Sequence, residues 1–337
     1  MASDTDTDVA IIGAGPVGLF AVFELGMLKL SSVLIDALSE VGGQCAALYP
    51  EKPIYDIPAH PAIHAGELVA QLERQIAPFH APRLLGRRVT GLAGVPGDFA
   101  LTTDQGDTVH AKAVLVAAGA GAFGPNRPPL DGLAQYEASG AVQYYVRRRE
   151  DLRGKRVVIA GGGDSAVDWA LALRDIARVA VVHRRAKFRA APESAAQLDA
   201  SARSGEIEMV IPYQLHALHG ADGALRHVEV ATLQGETRLL AADVLLPFFG
   251  LSMDLGPIAA WGLDRDLHHV KIDPATCQTS MPGVFAIGDV ATYLGKLKLI
   301  LQGFSEAAIA AHAIFGVAHP GEALHFEYST TKGVPAG

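Results

Sequence analysis

Three glycines, Gly13, Gly15 and Gly18, stand at the GxGxxG spacing directly after an apolar run at 9–12, and an acid, Asp36, closes the next apolar run. These residue types at this spacing suit a dinucleotide. Gly13 permits a sharp turn, Gly15 lets the backbone approach a pyrophosphate, and Gly18 lets a helix pack closely on a strand; a carboxylate about twenty residues on accepts hydrogen bonds from an adenosine ribose. The turn recurs as Gly161, Gly163 and Ala166, with Asp164 and Ser165 opening the next helix. At the offset where the first unit carries Asp36, the second carries Arg184, followed by Arg185, Lys187 and Arg189. A carboxylate repels a 2′-phosphate, whereas two guanidinium groups hold one by charge-assisted hydrogen bonds, so the second nucleotide is expected to be NADP(H). A third turn, Gly288 with Asp289, follows the apolar run 284–287 and offers a carboxylate to the ribitol or pyrophosphate side of a flavin dinucleotide. The competing readings are a glycine turn of another α/β fold and a solvated basic turn. The agreement of strand, helix and offset in both units weighs against them.

Positioning these residues requires strands that end at the turns and helices that begin there. Residues 19–28 are expected to be helical and 32–35 to form the strand that closes the first βαβ unit; 156–160 and 179–182 repeat the pattern. Between the units, 41–61 reads as an ordered loop with paired glycines, two tyrosines and several prolines, placed to contact the rest of the first nucleotide. A helix is expected at 66–79, hairpin strands over 89–109, a buried strand entering 112–119, further strands over 207–244, and a helix over 299–318 whose start near Gln302 could face a flavin. The tail from Phe326 is polar and glycine-rich, the composition of a loose terminus.

The chain has 337 residues, half of them hydrophobic, with 36 glycines and a net charge of −8. That length suggests about two domains. The acidic balance argues against nucleic acid as a partner. The polar N-terminus and the lack of an apolar run near the ~18 residues of a membrane span point to a cytoplasmic protein with no membrane contact. Two cysteines, Cys45 and Cys277, lie far apart, with neither a CxxC nor a zinc-ligand spacing, so no metal is expected.

Taken together, GAGPVGL, GGQ, GGGDSAVDWA, HRRAKFRA and PGVFAIGDV resemble the flavoproteins of thioredoxin reductase type, with two dinucleotide-binding domains. Within that group, ALYPEKPIYD, GGGDSAVDW and the tail HFEYSTTKG resemble the ferredoxin–NADP+ reductases. The resemblance implies an α/β fold of two Rossmann-like domains with thioredoxin-reductase-like architecture: an FAD domain from residues 1–119 and 248–337, an inserted NADPH domain at 120–247, and a homodimer. It assigns Asp36 to the adenosine ribose, Gln44 to an FAD contact, Tyr49 to one face of the flavin ring and Asp289 to the ribitol side. Val89, Phe123 and Thr330 fall at further FAD positions, Tyr328 at the position that covers the nicotinamide-facing side of the ring, and Asp56 near flavin N5.

The resemblance implies hydride exchange between NADP(H) and the flavin and single-electron exchange with ferredoxin or flavodoxin, with no side-chain nucleophile or acid–base residue. Thioredoxin reductases carry a CxxC where this chain has Val142, Gln143, Tyr144 and Tyr145, and glutathione-reductase-like enzymes have a second cysteine where Pro50 stands. A lone thiol cannot relay electrons as a dithiol pair does. The rival readings are a disulfide reductase acting through a partner's thiols and a redox-sensing nucleotide-binding module. For an acidic acceptor, the candidate docking clusters are Lys296 with Lys298, and Arg147 with Arg148 and Arg149.

Overall fold

The computed structural model describes residues 4–324 and residue 333, and at 122–124 and 251–253 the backbone only. The chain divides into two units, one combining Met1–Phe123 with Met253–Gly337 and the other formed by Gly124–Ser252. These boundaries fall a few residues beyond the positions 119 and 247 that the resemblance implies.

The first unit is organised on a seven-stranded sheet. Its strands lie in the order Arg83–Leu85, Ser32–Asp36, Asp4–Ile12, Thr108–Val116, Asp98–Thr103 and Val89–Val95, and Val284–Ala286 also pairs with Thr108–Val116. Val9 to Ile12 and Ala113 to Val116 run side by side in parallel register. Both stretches are continuously apolar because a parallel strand covered on two faces has no solvent side. Thr108–Val116 pairs antiparallel with Asp98–Thr103 along its first part and parallel with Val284–Ala286 along its last. That arrangement brings the late turn of Gly288 and Asp289 to the same end of the sheet as the turn at Gly13. The segment expected to form hairpin strands is one, Val89–Val95 against Asp98–Thr103, extended by the third strand.

Helix Pro16–Met27 packs against both Ala65–Ile76 and Ile300–Ala318. Ile300–Ala318 corrects one expectation, because by length and composition it could cross a membrane. Here its small-residue face, Gly303, Ala307, Ala310 and Ala311, is buried in the core of the first unit. A methyl group on Gly303 would stand 2.4 Å from a methyl of Val17, so the two helices meet at a distance that only glycine permits.

The second unit holds four parallel strands, in the order Ile207–Val210, Arg178–Val182, Arg156–Ala160 and Val244–Pro247, and a separate antiparallel sheet of Gln214–Ala221, Ala224–Ala231 and Thr237–Ala241. Asp243 pins the return strand to the first strand, accepting hydrogen bonds from the Arg156 amide at 2.8 Å and Nε at 3.1 Å. The Arg156 bonds hold its carboxyl at about 2, below the ordinary 3.8. An acid depressed in the folded state stabilises above its unfolded pKa and loses that contribution as pH falls through the folded value, so the window here is pH 3.8 down to about 2. Both side chains are more than a third exposed, at 38% and 39%, so the effect is small. Asp243→Asn should barely move the melting temperature at neutral pH and should flatten the acid limb of an unfolding curve followed by circular dichroism. An unchanged acid limb would show that the pair carries no linkage.

Candidate functional site

The first glycine turn separates packing from access. Gly13 has φ +112, and a Cβ there would lie 2.3 Å from the Ala117 carbonyl oxygen; on Gly18 it would lie 2.0 Å from the carbonyl oxygen of Gly13. Both positions are closed to any side chain. Gly15 has an ordinary extended backbone, φ −71 and ψ 178, as the N-cap of Pro16–Met27, and a Cβ there would meet nothing within 4 Å. No side chain caps that helix, so the amides of its first turn are left for another acceptor.

Gly15 opens into a cavity of about 440 Å³. Gly13, Asp36, Gln44 and Tyr49 line it with Gly15, together with Val89 and Asp289, so seven of the expected cofactor residues converge from well-separated parts of the chain. Asp36 Oδ2 accepts a hydrogen bond from the Ala14 amide at 2.6 Å and Oδ1 from the Leu38 amide at 2.8 Å. Burial outweighs these bonds and lifts its carboxyl above the ordinary range. Burial also pushes up the Tyr49 phenol, which keeps that flat ring neutral at the cavity wall. The volume is that of a small-molecule site. With an open glycine, an uncapped helix start, two carboxylates and an aromatic face, these residues fit a flavin dinucleotide.

Other expected residues lie elsewhere. Gly18 serves the packing just described, and Asp56 is exposed and outside the cavity lining. Phe123 has only its backbone described, and Tyr328 and Thr330 lie outside the described residues. The cavity also has walls that sequence reasoning missed. Arg87 and Arg88 line it, with Arg87 Nε donating to the buried Asp107 at 2.7 Å, and so do Asp254, Leu255 and Pro257 from the returning chain. The glycine and proline of 256–257 were the available signal.

In the second unit, Gly163 caps helix Asp164–Leu173 without a side-chain cap, and a Cβ on it would be in open space. Asp164 and Ser165 are exposed on the first helical turn, and Gly161 is buried beneath. The basic loop is tied to this turn, since the Arg189 amide donates to the Gly162 carbonyl at 2.6 Å and the Ala191 amide to Asp164 Oδ1 at 2.9 Å. Arg184, Arg185 and Arg189 are exposed. His183 lies under Gly162, where a Cβ would stand 2.2 Å from its ring, and burial lowers its pKa, with the neighbouring arginines acting in the same direction. A smaller cavity of about 130 Å³ adjoins Arg184, between Pro212, Gln214 and Leu233.

Lys296 is not the surface residue expected. Its side chain is 5% exposed and paired with Glu306, which leaves Lys298 as the exposed lysine of that cluster. Arg149 is likewise engaged by Asp175, while Arg147 and Arg148 are exposed. Both cysteines are free and buried, and burial pushes their thiols up to about 11 for Cys45 and about 12 for Cys277. At neutral pH neither is a thiolate, so neither is poised for disulfide exchange.

Comparison with known proteins agrees with this geometry. The family described as pyridine nucleotide-disulphide oxidoreductase matches residues 7–313. A ferredoxin–NADP reductase of Granulibacter bethesdensis is 76% identical over 331 residues, covering 98% of this chain and 95% of the relative. One of Acidiphilium cryptum is 76% identical over 336 residues, covering 99% of each. Among solved structures, the thioredoxin reductases of Lactococcus lactis (23% identity, covering 93% of this chain and 99% of that one) and T. acidophilum (23%, covering 92% and 98%) superpose with TM-scores of 0.80, a likeness of fold. With a family match over most of its length and relatives at three-quarters identity from end to end, the chain belongs to the pyridine nucleotide-disulphide oxidoreductase family and, within it, to the ferredoxin–NADP reductases.

Proposed function

We infer that this protein is an FAD-dependent ferredoxin (or flavodoxin)–NADP+ oxidoreductase. The observation that carries the reading is the cavity at the first glycine turn, where Gly15, Asp36, Gln44, Tyr49 and Asp289 meet. FAD, when bound, supplies the exchange between hydride transfer and single-electron transfer. The protein contributes placement. The open backbone at Gly15 and the uncapped helix start receive the pyrophosphate, Asp36 the adenosine ribose, and Tyr49 a ring face, while Gln44, Val89 and Asp289 complete the FAD set. Phe123, Thr330 and the ring-covering Tyr328 belong to the same proposal on the strength of the resemblance alone. In the second unit the turn from Gly161 to Ser165 receives NADP(H), and Arg184, Arg185 and Arg189 hold its 2′-phosphate.

The unit containing both ends of the chain is then the FAD domain and the inserted unit the NADPH domain. A homodimer and a cytoplasmic setting are part of this proposal; two buried, unpaired cysteines suit a reducing compartment. The same thiols weigh against a disulfide reductase. The test is an anaerobic NADPH titration of the purified protein, followed by addition of ferredoxin or of a thioredoxin-like disulfide. Bleaching of the flavin band and reoxidation by ferredoxin are expected. No bleaching would favour a nucleotide sensor, and reoxidation by the disulfide alone would favour the disulfide reductase.

Docking an acidic carrier onto a chain of net charge −8 needs a local basic surface. Charge reversal of Lys298, or of Arg147 and Arg148 together, should slow ferredoxin reduction about tenfold at low salt and weaken its salt dependence. Ferricyanide reduction should be unchanged. Stopped-flow rates across ionic strength check this, and equal rates in all variants would put the docking face elsewhere.

A further inference from the structure

Beneath the turn of Gly288 and Asp289 lies a buried polar network that the proposed reaction does not use. Glu306, 1% exposed on helix Ile300–Ala318, accepts hydrogen bonds on Oε2 from the Gly288 amide at 2.8 Å and on Oε1 from the Tyr293 hydroxyl at 2.8 Å. Its Oε1 is also paired with Lys296 Nζ. The Tyr293 hydroxyl in turn accepts from Gln302 Nε2 at 2.8 Å, and the Lys296 ammonium stands 5.7 Å from the Tyr293 ring centroid. Buried charge of this kind is costly, and an apolar set of similar shape commonly folds as well or better, so stability alone does not account for it. Its position is the informative feature. Two arms of the network reach elements at the cavity edge: Gly288 and Asp289 line the cavity, and so does Ile300, which opens the helix that carries Gln302 and Glu306.

We propose that Glu306 is a positioning residue for FAD. Its carboxylate fixes the turn of Gly288 and Asp289 from below and, through Tyr293 and Gln302, sets the first turn of the C-terminal helix at the same cavity. The proposal rests on the reading of that cavity as the FAD site. Lys296 is the counter-charge that makes a buried carboxylate tolerable there. Burial first, and Glu306 beside them, push the Tyr293 phenol and the Cys277 thiol up to about 12.

Glu306→Gln keeps the shape and an acceptor for Gly288 but removes the charge; Lys296→Met leaves the carboxylate without its partner. Each should weaken FAD binding to the flavin-free protein, measured by fluorescence quenching, about ten- to a hundredfold. They should move the flavin midpoint potential of the reloaded protein in opposite directions, upward for Glu306→Gln and downward for Lys296→Met, because they delete opposite charges at one place. The double variant should recover most of the affinity, and it serves if a single variant does not fold. If the variants bind FAD as the wild type does and differ only in melting temperature, or if both singles shift the potential the same way, the positioning role is overturned. A wild-type protein that binds no FAD would instead sink the reading of the cavity, and this proposal with it.

Discussion

Replacing Arg184 and Arg185 together by alanine should lower kcat/KM for NADPH about a hundredfold and leave NADH within about threefold, turning a selective enzyme into a weak and indifferent one. Each charge-assisted hydrogen bond to a phosphate contributes about 1.5–3 kcal/mol, and solvent competition at an exposed site keeps the pair near the lower end. Both arginines are exposed, on a loop whose path is set by the Arg189 amide on Gly162 and by Asp164 on Ala191. The side chains are therefore free to close on a ligand while the backbone that carries them is held. Because the loop is anchored through backbone groups, the double substitution should not disturb the glycine turn. That separates selectivity from folding in one measurement. Steady-state kinetics with both nucleotides decide it, and equal losses for NADPH and NADH would show that the pair is not a phosphate clamp. Arg189→Ala is the useful companion, since its backbone already serves the turn and only its side chain is in question.

What the amino-acid sequence disclosed here, and what it did not, follows from the range of the forces involved. The turns at Gly13 and Gly161 are local, because a glycine after an apolar run and before a helix depends on a few neighbouring residues, and parallel strands buried on both faces advertise themselves as unbroken apolar runs. Of the residues lining the cavity, Asp36 was legible from its offset to the first glycine turn and Asp289 from the glycine beside it after an apolar run, whereas Gln44 and Tyr49 were assigned by the resemblance alone. Arg87 and Asp254 were not legible, since they reach the cavity only through the path of the whole sheet and of the returning chain. Lys296 shows the same limit from the other side. A lysine between leucines and a glycine reads as surface, and its burial depends on a carboxylate ten residues later, on another element, whose helical register decides whether the two meet. The helix expected over 299–318 forms as Ile300–Ala318, but it is long and apolar enough to cross a membrane, against the expectation that no apolar run approaches that length. Its apolar length comes from small residues that let it lie close on Pro16–Met27, a tertiary requirement that composition alone does not separate from a lipid-facing one.

Two substitutions three residues apart in the first turn should have opposite consequences. Gly15→Leu should abolish measurable FAD uptake while the melting temperature of the flavin-free protein stays within about 2 °C of wild type. Gly18→Ala should cost several degrees or prevent folding, although it adds only a methyl group. The reasons are geometric. Gly15 has a backbone conformation open to any residue and a Cβ direction that meets nothing within 4 Å, so leucine there fills space the fold does not use. That space is the cavity mouth at an uncapped helix start, where a pyrophosphate has to approach the backbone itself. On Gly18 the methyl would stand 2.0 Å from the Gly13 carbonyl oxygen, which is backbone and cannot swing aside as a side chain could. Relieving the clash requires the helix to lift from the strand, and overpacking of that kind costs about 1–3 kcal/mol or more. Thermal unfolding of the flavin-free proteins and fluorescence titration with FAD separate the two effects. If Gly15→Leu binds FAD normally, the cavity at the first turn is not the FAD site. If Gly18→Ala folds and melts as the wild type does, helix and strand are not held at the distance that the glycine permits.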